Sequence, residues 1–133
     1  MTHIYLNAQL ISDQEGYRGA GVSNYARQLL AALGEEALAG RTGHTFTSFV
    51  HARSLAVPGV TLVPTSPQLE RAPARIAWEQ TVWPRLLAAR PPGIAHGLMN
   101  VLPLASRLPG VVTVHDLAFV RTPEKLPPLK RFY

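Results

Sequence analysis

The fold of this chain is decided by residues 15–33, which read Glu15-Gly-Tyr-Arg-Gly-Ala-Gly-Val-Ser-Asn-Tyr-Ala-Arg-Gln-Leu-Leu-Ala-Ala-Leu33. The first part is rich in glycine, which has no Cβ and lets a ligand approach the backbone closely. From about Val22 to Leu38 the apolar residues recur at the spacing of an amphipathic helix. Ser23 is the candidate N-cap of this helix, and Gly34 is its candidate stop signal. The stretch therefore predicts a glycine loop that runs directly into a helix.

The glycine loop has two interpretations. Free backbone N–H groups and the positive end of a helix favour a phosphate or carboxylate above Gly19, Ala20 and Gly21. The alternative is a tight strand-to-helix turn without a ligand. A dinucleotide is disfavoured, because Asn24 occupies the third glycine position of that fingerprint. No acidic residue ends the second predicted strand either, where the sequence reads His51-Ala-Arg53.

Outside this stretch, the chain alternates strands with helices. A second helix is predicted at 74–89, and Pro84 should kink or reset it. The β-branched run at 110–114 is typical of a strand buried on both faces. We expect an irregular tail until a helical start at Leu129. Strands are predicted at 3–10, 45–50, 59–63, 94–96 and 110–114. The alternation predicts one partial α/β domain over 1–133, a Rossmann-like parallel sheet flanked by helices.

Composition restricts the class of protein. The chain has 133 residues, a formal net charge of +5 and no cysteine, which excludes disulfides and thiolate metal sites. There is no signal peptide and no apolar run of about 20 residues, so we expect a cytoplasmic protein. The basic residues are scattered and accompany no nucleic-acid motif, so no nucleic-acid partner is expected. Trp78 and Trp83 beside arginines could form a membrane-surface helix, although a core-facing aromatic helix is favoured.

Polar residues follow two of the predicted strands. His96-Gly-Leu-Met-Asn100 follows one, and His115-Asp116 follows the next. Because ligands of open parallel sheets bind beyond the carboxyl ends of the strands, we expect both segments to share an edge with the glycine loop. The pKa of His115 is easily moved around neutrality, and Asp116 could orient a partner. Alternatively, His115 satisfies a backbone carbonyl and Asp116 caps a helix, while His96 and Asn100 are structural.

Other chemistries lack their motifs. The histidines and carboxylates show no metal-ligand spacing, so no metal is expected. The sequence contains neither a Walker loop nor a Gly-x-Ser-x-Gly elbow. No cofactor is predicted.

An ordered set of motifs resembles the N-terminal, acceptor-side domain of retaining glycosyltransferases of family 4, which have the GT-B fold. The resemblance covers nearly the whole chain, in the order Gly19-Ala-Gly21-Val-Ser-Asn-Tyr25, Leu29-Leu30, Trp78-Glu-Gln80, His96-Gly97, Leu102-Pro103-Leu104, Val111-Val-Thr-Val-His115-Asp116-Leu-Ala-Phe119 and Pro123-Glu124. That family transfers a hexose, of mannosyl or glucosyl type, from a nucleotide sugar to an acceptor hydroxyl with retention. The resemblance places Gly19 and Gly21 under the donor diphosphate and His115, as the catalytic residue, against the transferred sugar.

The chain also departs from that family. The resemblance implies a second, C-terminal domain for the nucleotide sugar and a pair of glutamates eight positions apart, which this sequence lacks. We therefore expect an N-terminal fragment that is inactive alone and partners the missing domain. An uncovered sheet edge or helix face would favour self-association. The alternative is a stand-alone half-Rossmann module that binds a phosphate- or sugar-bearing ligand without catalysis.

Overall fold

The computed structural model describes residues 1–13, 20–125 and 128, and in them a parallel sheet forms the centre of the molecule. Its five strands pair in the order β3-β2-β1-β4-β5, and every pairing is parallel. The strands are β1 Thr2–Asn7, β2 His44–Val50, β3 Thr61–Pro64, β4 Gly93–Gly97 and β5 Gly110–Val112. The predicted α/β class, with a Rossmann-like parallel sheet flanked by helices, is confirmed.

Four α-helices are described: α1 Ala20–Leu38, α2 Ala72–Thr81, α3 Trp83–Ala88 and α4 Ala118–Arg121. Short 3-10 turns lie at Pro67–Glu70 and Pro123–Lys125. Helix α4 was not among the predicted helices. The helical start predicted at Leu129 lies outside the described residues.

The predicted end of the first helix near Leu38 is confirmed, but its candidate N-cap and its candidate stop signal are wrong. The helix already begins at Ala20, so Ser23 lies inside it and is not the N-cap. Gly34 lies inside the helix as well, and a Cβ there would collide with the carbonyl oxygen of Pro58. The helix ends at Leu38, as predicted, and Gly40 follows it with a φ of 67°. Glycine takes that left-handed conformation without the steric cost that other residues meet.

The predicted break at Pro84 is confirmed. The predicted helix 74–89 is two helices, which meet at Val82. Pro84 lies in the first turn of α3, where its missing N–H leaves no helical hydrogen bond unmade.

The two faces of the sheet carry separate cores. Along β1, Leu6 packs with α1 on one face, and Tyr5 packs with α2 and α3 on the other. In the second core, Trp83 is fully buried and its ring centroid lies 6.0 Å from that of Trp78 and 6.4 Å from that of Phe49. The core-facing interpretation of the tryptophan helix is therefore confirmed. None of the described helices is both long enough and apolar enough to span a bilayer.

The predicted burial of the last strand on both faces is wrong. β5 ends at Val112 and pairs only with β4, which makes it an edge strand. Val111 is 50% exposed and Val114 is 46% exposed. Valine-rich sequence favours a strand, but burial depends on which elements cover it. An open apolar edge of this kind favours self-association, which stays a prediction.

Candidate functional site

The strand order reverses between β1 and β4. The chain builds β2 and β3 on one side of β1 and then crosses to build β4 and β5 on the other. Asn7 and Gly97, the last residues of β1 and β4, lie directly opposite each other in the sheet. In open α/β sheets, ligands bind outside the carboxyl ends of the strands at this reversal. This carboxyl edge is therefore the candidate site.

A chain of hydrogen bonds joins the segments that follow β4 and β5. Thr113 donates its backbone N–H to the Gly97 carbonyl at 2.9 Å, and Asn100 donates its own to the Thr113 carbonyl at 2.9 Å. The Asn100 side-chain oxygen then accepts the backbone N–H of His115 at 3.1 Å. Asn100 has a φ of 54°, a left-handed conformation that asparagine tolerates better than most residues. These bonds hold this rim of the sheet in one conformation.

His115 lies on this rim, where it is exposed. Its Nε2 donates a hydrogen bond of 2.7 Å to the Leu98 carbonyl. A contact of this type was the structural alternative raised for His115. The donation leaves a lone pair on Nδ1 of the neutral ring. The ring also packs edge to face with Tyr25 of α1, with 4.9 Å between the ring centroids.

His96 is linked to Tyr25 through the hydroxyl group of Thr113. Its Nε2 is 3.0 Å from Thr113 Oγ1, and Thr113 Oγ1 is 3.1 Å from the Tyr25 hydroxyl. Burial lowers the pKa of His96, which favours the neutral ring near pH 7. Three polar side chains from α1, β4 and the end of β5 thus meet within hydrogen-bonding distance.

The predicted site residues do not all lie together in the structure. His96, Asn100 and His115 lie together on the carboxyl edge, joined by the bonds given above. Ala20 and Gly21 form the start of α1, about one turn before Tyr25. Gly19 lies outside the described residues. Asp116 follows His115 in the chain. The N-cap position of α4 is occupied by Leu117, whose carbonyl accepts the first hydrogen bonds of that helix.

Tyr25 and Thr113 belong to the site but were not predicted from the sequence. Tyr25 falls at helical spacing with leucines, and it does pack partly against the first core. Thr113 stands in a run of valines. The one available signal was the position of this hydroxyl, two residues before His115 at the carboxyl end of a strand.

A second polar network lies beneath the same edge. Asn7 donates to the Glu79 carboxylate at 2.8 Å, and both residues are buried. His51 Nδ1 donates to the Gln9 side-chain oxygen at 3.2 Å, and Gln9 donates in turn to Thr65 Oγ1 at 2.9 Å. His51 is only 6% exposed, so it lies inside the fold. Its Nε2 has no hydrogen-bond partner among the described residues.

Buried His51 and half-buried His96 predict that stability falls on mild acidification. Burial lowers the pKa of His51 and of His96 below the ordinary 6.5, against partial opposition at His51 from Glu70 and Asp13. The unfolded chain therefore binds more protons than the folded chain below about pH 6.5. Stability is fully present above that pH and declines as the pH falls toward the two folded-state values.

Urea unfolding at pH 7.5, 6.5 and 5.5 measures this decline. The carboxylates contribute little over this range, because their ordinary pKa values lie near about 4. His51→Gln and His96→Gln should each remove part of the decline. A free energy of unfolding that is constant over the three pH values would contradict the assignment.

The described residues contain no group of three or more histidine, cysteine or acidic side chains that could hold a metal ion. Their site instead offers hydroxyl, imidazole and amide groups, which suit the recognition of hydroxyl-bearing or anionic ligands. No protein-family model, curated protein or solved structure matches the chain.

Proposed function

We propose that this chain forms the acceptor-side wall of the active-site cleft of a retaining hexosyltransferase with GT-B architecture. The observation that carries the proposal is the meeting of Tyr25, His96, Thr113 and His115 at the carboxyl edge, where the strand order reverses. Ligands of open α/β sheets bind at that reversal. The motif resemblance supplies the ligand class, a nucleotide-activated hexose of mannosyl or glucosyl type.

The proposed reaction moves the hexose from a diphosphate to an acceptor hydroxyl. The bond between the anomeric carbon and the diphosphate oxygen breaks, and a bond to the acceptor oxygen forms on the same face of the sugar. The acceptor proton leaves with the nucleoside diphosphate. Backbone N–H groups near Gly19 and Gly21, with the positive end of α1, would stabilise the leaving charge. His115 would contact the sugar through Nδ1, because its Nε2 is bonded to the Leu98 carbonyl.

We expect no turnover from this chain alone. A cleft needs two walls, and the wall that holds most of the nucleotide would come from a second domain. A cytoplasmic location is part of the same proposal.

One observation favours a second candidate function, a module that binds a sugar- or phosphate-bearing ligand without chemistry. The Nε2 atom of His115 is bonded to a backbone carbonyl at 2.7 Å, so one of its two ring nitrogens already has a structural partner. A histidine held in this way can shape a binding surface without transferring a proton.

A titration of ¹⁵N-labelled protein with UDP-glucose and with GDP-mannose tests the proposal. We expect amide shifts at Gly21, Tyr25, residues 97–100 and His115 for at least one of the two. His115→Ala should weaken the response about tenfold, the equivalent of about 1.4 kcal/mol. His44→Ala is the matched control, since His44 is an exposed histidine at the amino end of β2, on the opposite edge of the sheet.

The shifts test binding at the carboxyl edge, and turnover separates the two candidate functions. Shifts on the carboxyl edge that His115→Ala weakens and His44→Ala leaves unchanged support the proposed cleft. Shifts confined to the amino edge, or none with either nucleotide sugar, would refute it. Sugar transfer from either donor by the purified chain would overturn both the need for a second wall and the binding-module alternative.

A further inference from the structure

The Thr113 hydroxyl lies between two groups that each can donate or accept a hydrogen bond. It is 3.0 Å from His96 Nε2 and 3.1 Å from the Tyr25 hydroxyl. Tyr25 belongs to α1 and His96 to β4, so this one oxygen connects the helix after the glycine loop with the sheet. Thr113 itself is held by backbone bonds to Gly97 and Asn100, both of 2.9 Å. Its hydroxyl is thus presented from a fixed segment.

Counting protons shows that the three groups depend on one another. Thr113 and Tyr25 each have a single hydroxyl proton, and neutral His96 carries a proton on only one ring nitrogen. If His96 Nε2 accepts, Thr113 must donate to it, and Tyr25 must then donate to Thr113. If Nε2 instead carries the proton, Thr113 is free to donate to Tyr25, and the Tyr25 proton can point toward a ligand at the carboxyl edge. The tautomer of His96 therefore determines whether Tyr25 can donate its hydroxyl proton to a ligand.

Tyr25 is placed to meet such a ligand. It lies about one turn after Gly21, and its ring packs against the exposed ring of His115 at 4.9 Å between centroids. A ligand that contacts His115 on this rim comes within reach of the neighbouring Tyr25 ring and its hydroxyl. A phenolic hydroxyl can form hydrogen bonds with both hydroxyl and phosphate oxygens.

We propose that Tyr25 is a ligand-binding residue of the cleft, and that Thr113 is the positioning residue that couples its hydroxyl to His96. This inference rests on the proposed function for the nucleotide-sugar ligand. The coupling itself needs no ligand, because it is a property of the free chain. Removing the Thr113 hydroxyl should change His96 and Tyr25 together, although neither side chain is altered.

The test compares Thr113→Val, which keeps the shape of the side chain without its hydroxyl, with Thr113→Ser, which keeps the hydroxyl. Imidazole ¹⁵N shifts of the free protein report the tautomer of His96. We expect Thr113→Val to change them and Thr113→Ser to restore the wild-type pattern. Tyr25→Phe should also change them, and it gives a second readout if Thr113→Val does not fold.

The affinity for UDP-glucose or GDP-mannose gives the ligand-dependent readout. Losing one hydrogen bond to the ligand corresponds to a loss of up to about tenfold in affinity, expected for Tyr25→Phe and for Thr113→Val but not for Thr113→Ser. Unchanged imidazole shifts in folded Thr113→Val and in Tyr25→Phe would overturn the coupling. Full affinity in Tyr25→Phe would overturn its binding role. If wild-type protein binds neither nucleotide sugar, the proposed function and the Tyr25 role fail, while the imidazole shifts still decide the coupling.

Discussion

Replacing Trp83 by alanine is expected to lower the free energy of unfolding by about 3–5 kcal/mol, the usual cost of truncating a large buried aromatic side chain. Trp83 is fully buried in the core on the α2 and α3 face of the sheet. Its ring stacks on Trp78 and packs against Phe49, and nothing in a close-packed core can fill the space that alanine leaves. Domains of this size are stable by only about 5–15 kcal/mol, so the loss is a large fraction of the total. Urea unfolding followed by circular dichroism measures it.

Trp83→Phe is the matched variant. Phenylalanine keeps an aromatic ring against Phe49 and Trp78, but it removes the indole N–H, which is buried and has no hydrogen-bond partner among the described residues. An unsatisfied buried donor costs about 1–3 kcal/mol, so its removal should offset much of the lost contact area. We expect the phenylalanine variant to lie within about 1 kcal/mol of the wild type. A loss as large as that of Trp83→Ala would mean that the indole N–H makes a stabilising contact.

Much of the fold could be predicted from the sequence, because its signals are local. Helical spacing from Val22 to Leu38 and alternation along β1 depend only on which residues face a core. What failed depends on distant segments. Gly34 looks like a helix stop in sequence, whereas in the structure it is where Pro58 packs against the helix. The exposure of Val111 follows in the same way from the position of β5 at the sheet edge.

In the candidate site, too, local signals could be predicted and contacts between distant segments could not. His96, Asn100 and His115 could be placed on one edge, because parallel strands bring their carboxyl ends together. Tyr25 and Thr113 could not be placed there from the sequence, because a tyrosine among leucines and a threonine among valines match the patterns of core residues. Their hydroxyls are 88 positions apart in sequence and only 3.1 Å apart in space. Only the packing of α1 across the sheet shows that they share a hydrogen bond.

Gly34→Ala is expected to destabilise the protein by about 2 kcal/mol, although alanine is a better helix former by about 1 kcal/mol. A Cβ at this position would collide with the carbonyl oxygen of Pro58, which is backbone and cannot rotate away as a side chain can. Gly59, with a φ of 86°, approaches the Gly34 carbonyl from the same loop, so the loop cannot retreat without losing that turn. The cost of overpacking, about 1–3 kcal/mol, therefore adds to a strained turn and exceeds the gain in helix propensity.

Gly21→Ala makes the same substitution near the start of α1, and its effect on stability should have the opposite sign. No described atom lies within 4 Å of the Cβ that alanine would add there. The substitution should stabilise the helix by about 0.5–1 kcal/mol, because alanine loses less backbone entropy than glycine on folding. Urea midpoints of the two variants and the wild type decide the matter. If Gly34→Ala is as stable as Gly21→Ala, the helix does not pack against the 57–59 loop as closely as the structure places it. The position of α1 across the sheet, which brings the Tyr25 hydroxyl to that of Thr113, would then need another cause.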